Sequence, residues 1–275
     1  MKLDTSSYYP KSSIDDSAYM PASERPEGPE VDTSSAADTA DNAPADEITA
    51  EETCQAPPAE EKVPDLPPTE FESALNWSAH LISWILVPVL MPVYATLFAF
   101  GYSELIFTSF KTRFLFIVIV ALINTVIPIL FGLMLKKMGI VKDIGLNNQK
   151  ERFLPYVICI LGLMGTALFM GFRGAPQWFV MFFLGGAAAG IVEVIVNRWW
   201  KISVHAAGVA GIIALQVYML INQFTVPGLD GWLIATIITA GLLGSARVWL
   251  GRHTVAQVIA GYAVGFAGVY IMMLI

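Results

Sequence analysis

Cysteine, histidine and intramembrane acid are all scarce in this chain of 275 residues. Each scarcity removes a class of chemistry. The two cysteines, Cys54 and Cys159, form no disulfide framework and have no metal-ligand spacing. Cys159 lies in an apolar run and reads as a packing residue. Past residue 75 only Glu104, Asp143, Glu151, Glu193 and Asp230 are acidic. They are too few and too scattered to hold a metal, so no metal and no cofactor are expected. No basic start leads into an apolar stretch, so no signal peptide is expected. Cys54 follows no apolar segment, which argues against a lipoprotein anchor. No nucleic-acid partner is expected either.

What is present falls into two unlike halves that meet near residue 73. Residues 1–75 carry 18 acidic residues against Lys2, Lys11, Arg25 and Lys62, a net of −14. Pro, Ser, Thr and Ala fill most of the remainder. A stretch with no apolar run cannot offset its own chain entropy, so residues 1–73 are expected to be a disordered acidic tail. Residues 76–275 reverse the balance, with 12 basic residues against 5 acidic and an overwhelmingly apolar filling.

Charge-free runs of about 20 residues match a hydrocarbon core roughly 30 Å thick. Seven are legible: near His80–Phe100, Phe114–Leu135, Phe153–Phe172, Gln177–Val196, Ser203–Phe224, Trp232–Leu250 and Val255–Ile275. The expected fold is therefore all-α, a polytopic transmembrane helical bundle over residues 74–275. Trp77, Trp178, Trp199, Trp200, Trp232 and Trp249 fall at span ends, where interfacial aromatics belong. Pro88 and Pro92 predict a kink in the first span. Gly186-Ala-Ala-Ala-Gly190 and Gly261-Tyr-Ala-Val-Gly265 are small-xxx-small stretches that let helices approach closely. The spans on either side of Arg173-Gly-Ala-Pro176 form either a full hairpin or one shifted toward the surface.

Seven spans put three cationic loops on the side of the N-terminus: Lys150/Arg152, Arg198/Lys201 and Arg247/Arg252/His253. Two of the three histidines, His205 and His253, open spans there. One cation at a span end is ordinary snorkelling. Three loops bringing cations and two imidazoles to one face describe a phosphate site at the bilayer surface. Ser203 is placed to cap the fifth helix, with His205 in its first turn, where free N–H groups and the helix dipole favour an anion. Arg247 offers a planar fork for a phosphate. Of two imidazoles facing a phosphoester, one can attack and the other can protonate the leaving oxygen.

These residues resemble the membrane-bound type-2 phosphatidic acid phosphatases, whose motifs run K-x6-R-P, P-S-G-H and S-R-x5-H-x3-D. Arg247 and His253 match R-x5-H, while Ser203 and His205 match S-x-H, within a stretch of roughly residues 140–265. The resemblance implies a six-helix phosphatase-like core, His253 as the nucleophile forming a phosphohistidine, and His205 as general acid. It also implies Arg247, Lys150 and Arg152 as phosphate ligands; Lys201, a mobile charge, and Ser203, both at the start of the fifth helix, complete the expected phosphate-binding set. The first motif is only echoed in Lys150-Glu-Arg-Phe-Leu-Pro155. Ile202 and Val204 replace the Pro and Gly of the second, Ala246 stands at the third motif's Ser, and Gln257 replaces its Asp.

Gln257 has two readings. Its amide oxygen, one turn beyond His253, can accept the imidazole N–H and fix the tautomer in the catalytic set. Alternatively, Thr254-x-x-Gln257 is a capping box. Glu193, the one acid inside a span, is expensive unless paired. It reads as an ion pair with Arg198, an inter-helix hydrogen bond, or a displaced partner for Arg247 or His253. Asn124 and Asn222 are expected to hydrogen-bond between helices, and His80 to be interfacial. The expected activity is hydrolysis of a lipid phosphate lying in the bilayer, and the alternative is a non-catalytic protein that binds or moves an anionic lipid. An inner-membrane location is expected, with the N-terminus and the site together on the cytoplasmic side.

Overall fold

The computed structural model describes residues 69–142, 149–222 and 225–275. The acidic tail expected over residues 1–73 lies outside the described residues except for its last five positions. These already belong to the helical body, whose first helix begins at Glu70. The chain is an all-α membrane protein with seven helical stretches long and apolar enough to cross a bilayer. No strand occurs among the described residues, only an isolated antiparallel bridge between Ser103 and Thr225.

The first crossing starts nearly three turns earlier than the apolar run suggests, because Thr69 and Glu72 form a complete capping box. Helix α1 (Glu70–Ile85) ends before Pro88, a 3₁₀ turn follows at Pro88–Leu90, and α2 (Met91–Tyr102) completes the span. The sequence kink is thus a true break, since proline removes helical N–H donors. In hydrocarbon the freed carbonyls need partners. The Tyr94 hydroxyl donates to Ile85 O at 2.8 Å and the Thr125 hydroxyl donates to Val89 O at 2.7 Å.

The second crossing joins α3 (Phe110–Ala121) to α4 (Ile127–Lys137) through a π turn at Leu122–Val126, just ahead of Pro128. That turn directs Asn124 to the Thr166 hydroxyl at 2.7 Å, the expected inter-helix bond. Asn222 behaves differently and bonds its own helix at Tyr218 O. Helices α5 (Phe153–Phe172) and α6 (Gln177–Val196) form a full hairpin, turned by Gly174 at φ 73°. Three helices complete the bundle: α7 (Val204–Asn222), α8 (Leu229–Trp249) and α9 (Val255–Met273).

Helix α7 is the most enclosed, packed on α9, α8, α2 and α6. The small-residue stretches lie at the closest approaches. Gly261 and Gly265 of α9 face the α7 backbone at Ser203 and Ala207, Gly185 faces Val269, and Gly186 and Gly190 face Leu163 and Ile160 of α5. The end remote from His205 and His253 is filled by aromatics, among them Phe100, Phe116, Phe179 and Trp178. Trp178 is therefore not a free interfacial ring. It is buried, with Nε1 donating to Glu104 Oε1 at 2.8 Å, whereas Trp77, Trp199 and Trp249 are exposed.

Candidate active site

Three helix starts and one helix end converge. Arg152 closes a 3₁₀ turn (Gln149–Arg152) that leads into α5. Lys201 and Ser203 precede α7, and His205 sits in its first turn. Arg247 lies in the last turn of α8. Gly251, at φ 63°, then reverses the chain, and the Arg247 carbonyl accepts both the Arg252 and His253 N–H groups, at 3.0 and 3.3 Å. The turn therefore ties His253 directly to Arg247.

Arg152 is the hub. It is 5% exposed, and Nη1 donates to the Tyr156 hydroxyl at 3.4 Å and to Ile202 O at 3.5 Å, so it bridges the starts of α5 and α7. Its charge acts on Lys201, His205, Arg247 and His253 alike. The convergence expected from three separate loops is thus present for Arg152, Lys201, His205, Arg247 and His253. The Lys150 side chain lies outside the described residues. Ser203 departs from expectation as a phosphate ligand. It is fully buried, and its hydroxyl caps α7 by accepting from Ala206 N at 3.5 Å, while its own N–H donates to Gln257 O at 3.3 Å. Its role is to hold the start of α7 against α9.

Gln257 satisfies both of its readings at once. Its Oε1 accepts from Thr254 N at 3.2 Å, closing a complete capping box, and lies 3.3 Å from His253 Nδ1. An amide oxygen only accepts, so Nδ1 holds the proton and Nε2 carries the free lone pair. Burial, then the charges of Arg152, Arg247 and Lys201, push the His253 imidazole down to about 3. Burial and Arg152, Arg247 and Arg252 likewise lower the Lys201 ammonium.

His253 is therefore neutral at ordinary pH. An NMR titration of its ring should find a midpoint far below the usual value of about 6.5, and a midpoint near 6.5 would contradict this environment. The unfolded imidazole binds a proton first as pH drops. Stability linked to His253 is thus intact above about 6.5 and is lost as pH falls toward about 3.

One contributor was not legible in the sequence, and a second, Glu193, was legible but with other partners. The His205 ring hydrogen-bonds to the main-chain carbonyl of Ser83 on α1. Glu193 enters from α6, 4% exposed, and the cation acting on it is Arg152 rather than Arg198, Arg247 or His253. Among the described residues, Ser83 Oγ, Glu193 Oε1 and Arg247 Nε are buried without a hydrogen-bond partner. His80 is exposed on α1 and belongs to no cluster. Among the described residues no group of three His, Cys, Asp or Glu is placed to hold a metal ion.

No family model, curated protein or solved structure matches this chain. Any functional reading rests on the site itself: two imidazoles and a ring of cations at the mouth of a bundle, with an amide orienting one imidazole.

Proposed function

We propose that the protein is an integral-membrane phosphatase that hydrolyses a phosphomonoester or diphosphate of a lipid through a phosphohistidine. The observation carrying this reading is the meeting of His253 and His205 with Arg152 and Arg247. The cations hold the phosphoryl oxygens. His253 Nε2 attacks phosphorus as the bond to the lipid oxygen breaks, and His205 gives that oxygen a proton. One His205 N–H is already given to Ser83, so His205 acts as an acid only as the imidazolium, a form that a bound phosphate dianion favours. Water then attacks phosphorus as the P–N bond breaks and gives its proton to the now neutral His205, which releases inorganic phosphate and regenerates both histidines. A lipid substrate accounts for the setting in a bundle, because its chains stay in the bilayer while its headgroup reaches the mouth. The resemblance to type-2 phosphatidic acid phosphatases agrees with these roles.

Release of inorganic phosphate from a panel of lipid phosphates by purified protein tests the proposal. Gln257→Asp should raise turnover by about tenfold, since a carboxylate stabilises a cationic imidazole better than an amide does. A large loss with folding intact would instead mean that the site is built around the amide.

The capping-box geometry favours a second reading, in which the protein binds or moves an anionic lipid without chemistry. Gln257 Oε1 already accepts from Thr254 N, and an amide leaves a cationic His253 without a counter-charge. Lipid binding without phosphate release would select it. We place the site and the N-terminus on the cytoplasmic side of the inner membrane, by the excess of cations at that end. Ready labelling of a single tail cysteine in intact cells by an impermeant thiol reagent would overturn that sidedness.

A further inference from the structure

We propose that Glu193 is the positioning carboxylate of Arg152, a buried counter-charge that holds the guanidinium beneath the two imidazoles. The register of the α5–α6 hairpin places it there. Gly186 meets Leu163 and Gly190 meets Ile160, so one turn further along α6 Glu193 comes level with Tyr156 on α5. Tyr156 in turn accepts from Arg152 Nη1.

The site gathers Arg152, Lys201, Arg247 and Arg252 around two imidazoles. Glu151, next to Arg152 in sequence, accepts from Lys142 N through Oε2 at 2.8 Å. Glu193 is an acid on which Arg152 acts, and it lies within a span, at a depth where an unpaired carboxylate is costly. Its Oε1 has no hydrogen-bond partner among the described residues, which leaves it available to a guanidinium. With an amide at 257, the carboxylate of the site is mounted behind a phosphate-binding cation and not behind a histidine. The guanidinium then keeps one fixed pose as phosphate arrives and leaves. This inference rests on the phosphate-site reading for its function, though not for its geometry.

The test uses full-length protein in nanodiscs, read by the Arg152 Nε–Hε resonance, which is assigned from its loss in Arg152→Lys. The wild type should give a resolved, slowly exchanging signal that Glu193→Gln abolishes and Glu104→Gln, at the far end, leaves intact. An unchanged signal in Glu193→Gln would overturn the proposal.

Inorganic phosphate, added as the probe, keeps the two readings apart. If Glu193→Gln abolishes the signal but phosphate binds neither protein, the positioning stands and the phosphate site falls. Where phosphate does bind, Glu193→Gln should weaken it about tenfold, the loss of a charge-assisted contact. Binding equal to wild type would count against the inference.

If Glu193→Gln does not fold, rescue decides. Arg152→Met strands a buried carboxylate, so Arg152→Met/Glu193→Gln should unfold at a higher temperature than Arg152→Met alone. A double variant less stable than that single variant would sink the proposal.

Discussion

Replacing His253 by alanine is expected to abolish phosphate release, by about 10⁴-fold or more, together with any acid-labile phosphoenzyme. The loss should be this large because nothing else nearby can replace the nucleophile. His253 Nδ1 faces Gln257 at 3.3 Å, leaving Nε2 as the free lone pair, while His205 has one N–H committed to Ser83. His205→Ala should slow turnover less, because a leaving oxygen can take its proton from water, and it should leave the protein folded. Rapid-quench trapping of the phosphoenzyme separates the two variants. His253→Ala forms none, whereas His205→Ala forms it slowly. Wild-type turnover in both variants would end the catalytic reading.

The second large effect concerns stability. Gly265→Ala should destabilise the bundle by about 3 kcal/mol, at the upper end of what overpacking costs. The added methyl would overlap the Ala207 carbonyl, which is backbone and has no rotamer to escape into. Gly101 offers the control, since a methyl there meets nothing within 4 Å. Unfolding of the two variants in the same detergent makes the comparison. Equal midpoints would mean that α7 and α9 can separate freely. The effect should also reach the site, because α7 carries His205 and the turn into α9 carries His253.

The fold was largely legible because a bilayer imposes a simple length rule on apolar runs. Five of the seven expected spans both start and end within about three residues of the observed helices. The first was misplaced for a local reason: Thr69 and Glu72 start a helix through polar residues that a hydropathy reading discards. At the site, the residues that announced themselves were cations and imidazoles at span mouths, rare enough in apolar sequence to stand out. Ser203 was over-read, since one hydroxyl can cap a helix or meet a ligand and burial decided for the cap. Glu193 stands out in the sequence, but Arg152, the cation that acts on it, is not among its expected partners. Which cation acts on it depends on the hairpin register between α5 and α6, which distance along the chain does not specify. Ser83 could not have been found from its side chain at all, because its contribution is a carbonyl.

That carbonyl gives the break in the first crossing a second meaning. In an unbroken helix the Ser83 oxygen would accept from the N–H of residue 87, as every interior carbonyl accepts from the residue four ahead. Termination at Ile85 releases it, in the way that the last four acceptors of any helix are released. Position 83 is consequently free to drift in sequence without loss of the acceptor. The constraint falls instead on the residues that stop the helix, and above all on Pro88. A substitution there that lets α1 continue would draw the oxygen back into the helix ladder. His205 would then lose its orienting partner although no residue touching it had changed.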